Sequence, residues 1–74
     1  NDPDLRDYAE ALLWYRRAAE KNDGKAQFAV GVAYEHGRGV APDLNEALSW
    51  YRRAATNNVP SAMFNVGVFF ERDY

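Results

Sequence analysis

The spacing of apolar residues in the second half of the chain predicts an amphipathic helix over residues 44–57. The residues that share its apolar side recur at short intervals, at Leu44, Ala47, Leu48, Tyr51, Ala54 and Ala55. On an α-helix these positions fall along one side, and the polar residues between them occupy the other side. Trp50 borders the apolar side. We therefore expect this helix to bury one face and to expose the other to water.

The same pattern occurs earlier in the chain, displaced by 36 residues. The letters WYRRAA occupy residues 14–19 and again residues 50–55. The surrounding residues return in the same register, as Gly31 and its counterpart Gly67 illustrate. A fixed period between about 20 and 50 residues is typical of a solenoid of repeated supersecondary units. The chain is therefore predicted to be all-α and to be built from copies of one helical unit.

Helix start signals predict four helices, at about residues 7–21, 25–36, 43–57 and 61–72. Asp7 and Asp43 are each followed three residues later by glutamate, which is the spacing of a capping box. They are expected to begin the first and third helices. Asp23 is the expected cap of the second helix, and Pro60 occupies the first turn of the fourth, where a missing N–H is harmless.

Asparagine and glycine mark the connections between these helices. Asn22 and Asn58 follow the first and third helices, where a left-handed residue is usual and asparagine tolerates that conformation. The segment GRGVAPD, residues 37–43, is predicted to form a tight turn in which Gly39 has a positive φ angle. Gly31 should cost the second helix about 1 kcal/mol relative to alanine. We expect it to allow a neighbouring helix to approach closely through the small alanines of the WYRRAA segments.

Composition excludes several classes of function. The chain has 74 residues, no cysteine and a net charge of -2. It therefore lacks the thiolates needed for a disulfide framework, a cysteine-ligated zinc site or a cysteine nucleophile. It also lacks the basic excess of a nucleic-acid-binding surface, so no nucleic acid is expected as a partner. Its apolar stretches are only a few residues long, and membrane insertion is not predicted.

The titratable residues do not suggest a catalytic or cofactor site. His36 is the only histidine, and beside Glu35 it lacks the further ligands that zinc requires. Neither a serine nor a pair of carboxylates accompanies it in an arrangement suited to catalysis. We therefore predict no enzyme activity, no metal and no cofactor. One interpretation of the arginine pairs at residues 16–17 and 52–53 is a basic surface that binds an acidic partner. We favour the other, in which these residues simply occupy exposed helix faces.

The 36-residue period, the block Ala-x-x-Trp-Tyr-x-x-Ala-Ala and the loop G-x-G-V at residues 37–40 occur together in this chain. In this combination the chain resembles the Sel-one-like repeat, a relative of the tetratricopeptide repeat, over nearly its whole length. The resemblance implies antiparallel helix pairs stacked as a right-handed superhelix, without catalytic residues common to the family. Such proteins usually act as adaptors. We expect a non-catalytic protein-interaction module or, alternatively, a purely structural spacer in a larger protein whose catalytic domain, if any, lies elsewhere.

The chain departs from the family pattern in three respects. Asn22 and Asn58 stand where the family usually has glycine, and no second G-x-G-V follows Phe70. The cysteine pair of some bacterial relatives is also absent. In the family's phase one repeat is complete, at about residues 26–61, with half a repeat on either side. We therefore expect the chain to be a segment of a longer array.

The resemblance also suggests which residues bind a partner. By the tetratricopeptide correspondence, the groove of the superhelix is lined from the second and fourth helices by Lys25, Phe28, Ala29, Val32, Glu35 and His36, and by Ser61, Phe64, Asn65, Val68, Glu71 and Arg72. The centre of this set is apolar and its edges are polar, which suits a helix or an extended peptide. The same phenylalanine and valine residues are also suited to packing between neighbouring repeats.

The fourth helix repeats a face that the second helix is expected to bury. We expect Val30, Gly31 and Tyr34 to pack on the third helix. The matching apolar positions of the fourth helix are Met63, Val66, Gly67 and Phe70. A contiguous apolar surface of this kind is rarely left in water. We expect the next repeat to cover it in a longer protein, and the 74-residue chain alone to self-associate through it.

Overall fold

The structure is a computed structural model that describes the backbone of residues 3–71 and the side chains of residues 7–71. These residues form four α-helices, α1 (Pro3–Glu20), α2 (Gly24–His36), α3 (Leu44–Thr56) and α4 (Pro60–Glu71). Each helix packs on the next, and α2 and α3 share the largest interface. Short connections make consecutive helices antiparallel neighbours. The predicted all-α fold of stacked helix pairs is confirmed.

Aspartate side chains begin α2 and α3, as predicted. Oδ1 of Asp23 accepts hydrogen bonds from the backbone N–H groups of Lys25 and Ala26, at 3.0 and 3.3 Å. Oδ1 of Asp43 accepts in the same way from the N–H of Asn45, at 3.0 Å. Each cap satisfies backbone donors that have no partner within the helix and contributes about 1 kcal/mol to stability.

The backbone N–H of Asp43 has a different partner from the one that the capping box predicts. It donates to the carbonyl oxygen of Tyr34 at 2.9 Å, rather than to the side chain of Glu46. This hydrogen bond joins the start of α3 to the last turns of α2. The cap residue therefore also fixes how the two helices meet.

The predicted start of α1 at Asp7 is wrong. The helix begins at Pro3, and Asp7 lies in its second turn. Proline is well suited to the first turn of a helix because its φ angle is already helical and its missing N–H would have no partner there. The other helix ends lie within one residue of their predicted positions, which is the usual uncertainty of a helix boundary.

Asn22 and Asn58 adopt the predicted left-handed conformation, with φ angles of 73° and 62°. Asn22 also belongs to a polar cluster in which Nδ2 of Asn57 donates to Oε1 of Gln27 at 2.8 Å and to Oδ1 of Asn22 at 3.1 Å. Gln27 is fully buried and donates from Nε2 to the carbonyl oxygen of Ala19 at 3.1 Å. Because a buried amide without partners costs about 1–3 kcal/mol, this cluster favours one arrangement of α1, α2 and α3.

Tyr51 of α3 is fully buried within the core. Its ring lies against Gly31 of α2, so closely that a Cβ atom at Gly31 would come within 2.6 Å of it. The expected close approach at Gly31 is present, but its partner is the tyrosine ring and not the alanines of a WYRRAA segment. Val30 and Tyr34 are also buried, as predicted for the face of α2 that packs on α3.

Gly31→Ala and Gly67→Ala are expected to change stability in opposite directions. At Gly31 the new methyl group meets the Tyr51 ring, and the cost of overpacking, about 1–3 kcal/mol, exceeds the gain in helix propensity of about 1 kcal/mol. At Gly67 no atom lies within 4 Å of the added Cβ, so the gain remains. Urea unfolding of both variants measures the difference. A Gly31→Ala variant more stable than the wild type would contradict this packing.

Candidate protein-interaction site

Several of the predicted groove residues converge on Tyr51. Its hydroxyl donates a hydrogen bond to Oε1 of Glu35 at 2.6 Å. The ring centroids of Phe28 and Phe69 lie 5.5 and 5.9 Å from that of Tyr51. Because Phe28 and Glu35 belong to α2 and Phe69 to α4, Tyr51 holds three helices together. Glu35, predicted to face a partner, thus has a structural contact within the chain.

The environment of Tyr51 keeps its hydroxyl protonated. Burial raises the pKa of this group well above the ordinary value for tyrosine, and the hydrogen bond to Glu35 and the negative charge of that carboxylate raise it further. A hydrogen bond with Asn65 of α4 acts in the opposite direction. The net shift of the pKa is upward, so the folded state favours the neutral phenol.

Raising the pH above about 10 is expected to destabilise the fold through Tyr51, because the unfolded chain then releases this proton and the folded chain retains it. The contribution is complete below the unfolded pKa. It is lost as the pH rises toward the folded pKa, by up to about 1.4 kcal/mol per pH unit. Urea unfolding of the wild type and of Tyr51→Phe over this range isolates the effect. Equal alkaline slopes for the two proteins would contradict it.

A largely apolar cavity of about 380 Å³ opens between α1 and α2. Three predicted groove residues contribute to it, namely Phe28, Ala29 and Val32. The other lining residues are Tyr8, Ala11, Leu12, Tyr15, Ala33 and Arg38. The guanidinium of Arg38 lies over the ring of Tyr8, 5.6 Å from its centroid. The cavity therefore combines aromatic and aliphatic walls with one cation.

The remaining predicted groove residues have mixed exposure. Lys25 and His36 are exposed toward the two ends of α2. On α4, Phe64 is 72% exposed. The other positions of α4 divide into exposed Ser61 and Glu71 and half-buried Asn65 and Val68. Arg72 lies outside the described residues.

Identical residues differ in exposure between α1 and α3. Trp14 is 68% exposed and its counterpart Trp50 7%, while Tyr15 is 47% exposed and Tyr51 0%. The helix that follows accounts for part of the difference at Tyr51, because α4 places the Phe69 ring 5.9 Å from the Tyr51 ring, whereas α2 has Ala33 at the matching position. The preceding helix α2 also covers Tyr51, since Phe28 and Gly31 pack on its ring. Among the described residues, Trp14 and Tyr15 therefore give α1 an exposed aromatic face.

Tyr8, Tyr15 and Arg38 are not among the predicted groove residues, although they line the cavity. For Tyr15 the repeat itself carries a usable signal, since its counterpart Tyr51 belongs to a segment of identical sequence. A residue that an internal repeat buries becomes a candidate binding residue wherever its covering helix is missing.

α4 also presents a bare face, centred on Met63, Gly67 and Phe70. Met63 is 48% and Phe70 54% exposed, whereas Tyr34, the counterpart of Phe70, is 9% exposed. Val66, which was expected to share this open face, is half-buried and packs against the core. The open surface of α4 is therefore real but does not extend to all four predicted residues.

Two further properties concern only the part of the chain that the structure describes. Its histidine, aspartate and glutamate side chains form no group of three suited to holding a metal ion. None of its helices is both long and apolar enough to cross a bilayer.

Stacked antiparallel helix pairs with a 36-residue period define a helical-repeat protein. Comparison with known families matches the Sel1 repeat at residues 4–23, 24–59 and 60–73, and the chain belongs to this family. The resemblance noted from the sequence is thus confirmed. The Sel1 repeat is a non-catalytic helical fold that generally mediates protein–protein interactions.

Similar proteins include one solved structure and two curated relatives. The crystal structure of a Sel1 repeat protein from Oxalobacter formigenes has a TM-score of 0.81 and 41% identity, covering 82% of this chain and 25% of that one. The proteins named DAP3-binding cell death enhancer 1 in Rattus norvegicus and Mus musculus are each 44% identical over 39 residues. That segment is 53% of this chain but only 8% of each relative.

Proposed function

We propose that this chain is a non-catalytic interaction module that binds a helix or an extended peptide of a partner protein in its groove. The cavity between α1 and α2 is the observation that carries the proposal. Its volume of about 380 Å³ is sufficient to receive large side chains. Aromatic residues and arginine, which are enriched where proteins bind one another, form much of its wall.

The surroundings of the cavity also favour a peptide over a reacting substrate. Phe28 and Val32 form an apolar centre, while Lys25 and His36 are exposed toward the ends of the same helix. An apolar centre with a polar rim is the usual arrangement of a protein interface. Among the lining residues Arg38 is the one charged side chain, and no pair of groups there is arranged for proton transfer.

The groove of the proposal extends from α2 to α4. Phe64 is the most exposed aromatic side chain on α4, and the half-buried Asn65 and Val68 lie on the same helix. Glu71 is exposed near its end. These residues, together with Arg72, are proposed to contact the part of the peptide that extends beyond the cavity.

A library of short amphipathic helical peptides displayed on phage and selected against the 74-residue chain tests the proposal. Selected peptides are expected to bind Tyr15→Ser at least about tenfold more weakly, since a buried aromatic contact is worth more than 1.4 kcal/mol. Leu13→Ser is the matched control. Leu13 is 64% exposed and does not line the cavity. Its counterpart Ser49 is exposed although α3 packs on both α2 and α4. Peptides that bind both variants equally would contradict the proposed site.

A structural spacer is the alternative function, and it makes the opposite prediction. If these repeats only separate other parts of a larger protein, alanine at Phe28, Phe64 and Glu71 will leave partner capture by that protein unchanged. Purified DAP3 is one defined probe for this comparison, because the rat and mouse relatives are named for binding it.

We also propose a second copy of the chain as a partner, through the open face of α4. Met63 and Phe70 are each about half-exposed there, and burial of such a surface is favourable. Light scattering is expected to show that the molar mass of the wild type rises with protein concentration. Met63→Glu combined with Phe70→Glu should remain monomeric, and this pair leaves the half-buried Val66 intact. Oligomers indifferent to both substitutions would exclude this face.

A further inference from the structure

We infer that copies of this chain join head to tail, with α4 of one copy packed against α1 and α2 of the next. The inference rests on the proposed self-association and specifies its geometry. In this contact α4 packs on α1 of the next copy in the same way that α2 packs on α3 within one chain. The α2–α3 interface, the largest in the molecule, thus serves as the template.

The two bare faces have the sequences that this template requires. α1 contains WYRRAA at residues 14–19, identical to residues 50–55 of α3. α4 contains the run F-x-V-G-V at residues 64–68, which α2 contains at residues 28–32. Each side of the α2–α3 interface therefore has a second copy elsewhere in the chain, which is exposed at Tyr15 on α1 and at Gly67 on α4. A surface that already packs on one partner is suited to pack on an identical partner.

Gly67 and Tyr15 are the central pair of this contact. Inside the chain the Tyr51 ring lies so close to Gly31 that a Cβ atom there would be 2.6 Å away. Gly67 has the same place on α4, but nothing lies within 4 Å of its Cβ position. Tyr15 has the place of Tyr51 on α1 and is 47% exposed. Gly67 thus leaves space for a tyrosine ring, and the exposed ring of Tyr15 has the shape that fills this space in the α2–α3 interface.

Phe64 supplies the side chain that enters the cavity. Its counterpart Phe28 packs on the ring of Tyr51, with the centroids 5.5 Å apart. Phe64 is 72% exposed, and Tyr15 forms part of the wall of the cavity between α1 and α2. When α4 takes the position of α2, Phe64 packs on Tyr15 of the next copy and fills apolar space that is otherwise open. The head-to-tail contact therefore uses the exposed phenylalanine and the same cavity that we propose for a partner peptide, so the two compete for it.

One polar contact is repeated between copies and another is not. The carboxylate of Glu35 accepts a hydrogen bond from the Tyr51 hydroxyl at 2.6 Å. Glu71 is the counterpart of Glu35 on α4, so it is positioned to accept a hydrogen bond from the Tyr15 hydroxyl of the next copy. Met63, however, replaces Gln27, and the polar cluster of that glutamine is not reproduced. The contact therefore depends on aromatic packing and one hydrogen bond.

Head-to-tail association leaves one free face at each end of every oligomer. Because the two surfaces differ, the contact does not close into a two-fold dimer, and a third copy can add to a pair. Growth beyond two chains is therefore expected for the wild type. A symmetric contact between two α4 faces would instead stop at a dimer.

Two substitutions test the contact from its two sides. Gly67→Ala adds a methyl group that meets nothing within one chain but meets the Tyr15 ring in the contact. Tyr15→Ala removes that ring. By light scattering, each variant is expected to need at least about tenfold higher concentration to assemble, since overpacking or loss of the ring costs more than 1.4 kcal/mol. Leu13→Ser, which changes an exposed residue outside the contact, should assemble like the wild type.

An equimolar mixture of Gly67→Ala and Tyr15→Ala distinguishes this geometry from others. Gly67→Ala retains an intact α1 face and Tyr15→Ala an intact α4 face, so these two faces form the full contact. The two altered faces lack the packing of the Tyr15 ring, so each pair forms one full contact. At a concentration at which each variant alone is monomeric, the mixture is expected to form a one-to-one dimer. Trp14 should become shielded from iodide quenching in this dimer, while Trp50 is already buried in one chain. Circular dichroism is the control that checks whether both variants remain helical.

The outcomes separate the geometry from self-association itself. If the wild type assembles and Gly67→Ala assembles equally well, the head-to-tail register is wrong while self-association stands. Tyr15→Ala that assembles at the same concentration as the wild type, or a mixture that forms no heterodimer, overturns the register in the same way. A wild type that stays monomeric at every concentration overturns both, without affecting the test of peptide binding in the cavity.

Discussion

Replacement of Trp50 by alanine is expected to lower the free energy of unfolding by about 3–5 kcal/mol, the cost of truncating a large aromatic side chain in a packed core. The indole is 7% exposed and belongs to the central apolar cluster. The guanidinium of Arg53 lies 4.3 Å from the ring centroid and covers it on one side. Arg52→Ala changes an exposed residue on the same helix. Its guanidinium lies 5.3 Å from the centroid of the half-exposed Phe70 ring, and its loss should cost no more than about 0.5–1 kcal/mol.

Trp14→Ala is the matched control for this prediction. It removes the same side chain from the same place in the repeat, but at 68% exposure, so most of the lost surface already contacts water. Its effect on the monomer should be much smaller than that of Trp50→Ala. Denaturant midpoints at equal m-values measure the three variants. Equal shifts for Trp50→Ala and Arg52→Ala would place the Trp50 indole outside the core.

Most helix boundaries in this chain depend on local chemistry, which is why the sequence predicts them. Asp43 supplies an oxygen to the free N–H groups that follow it, and Asn58 supplies a left-handed conformation after α3. Both effects act within a few residues. α1 is the exception, because two start signals compete there and Pro3 lies upstream of the capping-box signal at Asp7.

Burial depends on neighbours in space, and an identical sequence does not guarantee them. Tyr15 and Tyr51 have the same neighbours along the chain, yet one is 47% exposed and the other fully buried. Gly31 and Gly67 lie in the same F-x-V-G-V run, yet only Gly31 faces an aromatic ring. A sequence period therefore predicts that two segments share a conformation, without predicting that they share an environment.

The residues of the candidate site differ in the same way: helical periodicity predicts some of them, and the packing of other elements determines the rest. Phe28 and Val32 lie one turn apart on α2, so helical periodicity is sufficient to group them, and both line the cavity. Tyr8 and Tyr15 reach the cavity from α1, and Arg38 reaches it from the turn after α2. Their positions depend on how α1 and the turn pack, which no pattern within α2 contains.

Gly39→Val is expected to lower the free energy of unfolding by about 2–5 kcal/mol, since a left-handed conformation costs a non-glycine residue about 1–2 kcal/mol and overpacking about 1–3 kcal/mol. Gly39 has the predicted positive φ angle, 77°. A Cβ atom there would lie 2.7 Å from backbone atoms of Tyr8 and Ala9. Backbone atoms of a helix cannot rotate aside, so α1 or the turn must move. Because Arg38 next to it lies over the Tyr8 ring, this movement should also alter the cavity.

Two further variants separate the causes of the Gly39→Val effect. Asparagine tolerates the left-handed conformation but carries the same Cβ atom, so Gly39→Asn should retain the clash and lose most of the backbone strain. Gly67→Val places valine in a helix where nothing lies within 4 Å, and its effect should be small. Urea unfolding measures all three. If Gly39→Val is as stable as the wild type, the turn does not pack against α1 in solution, and the cavity loses the wall that Arg38 provides.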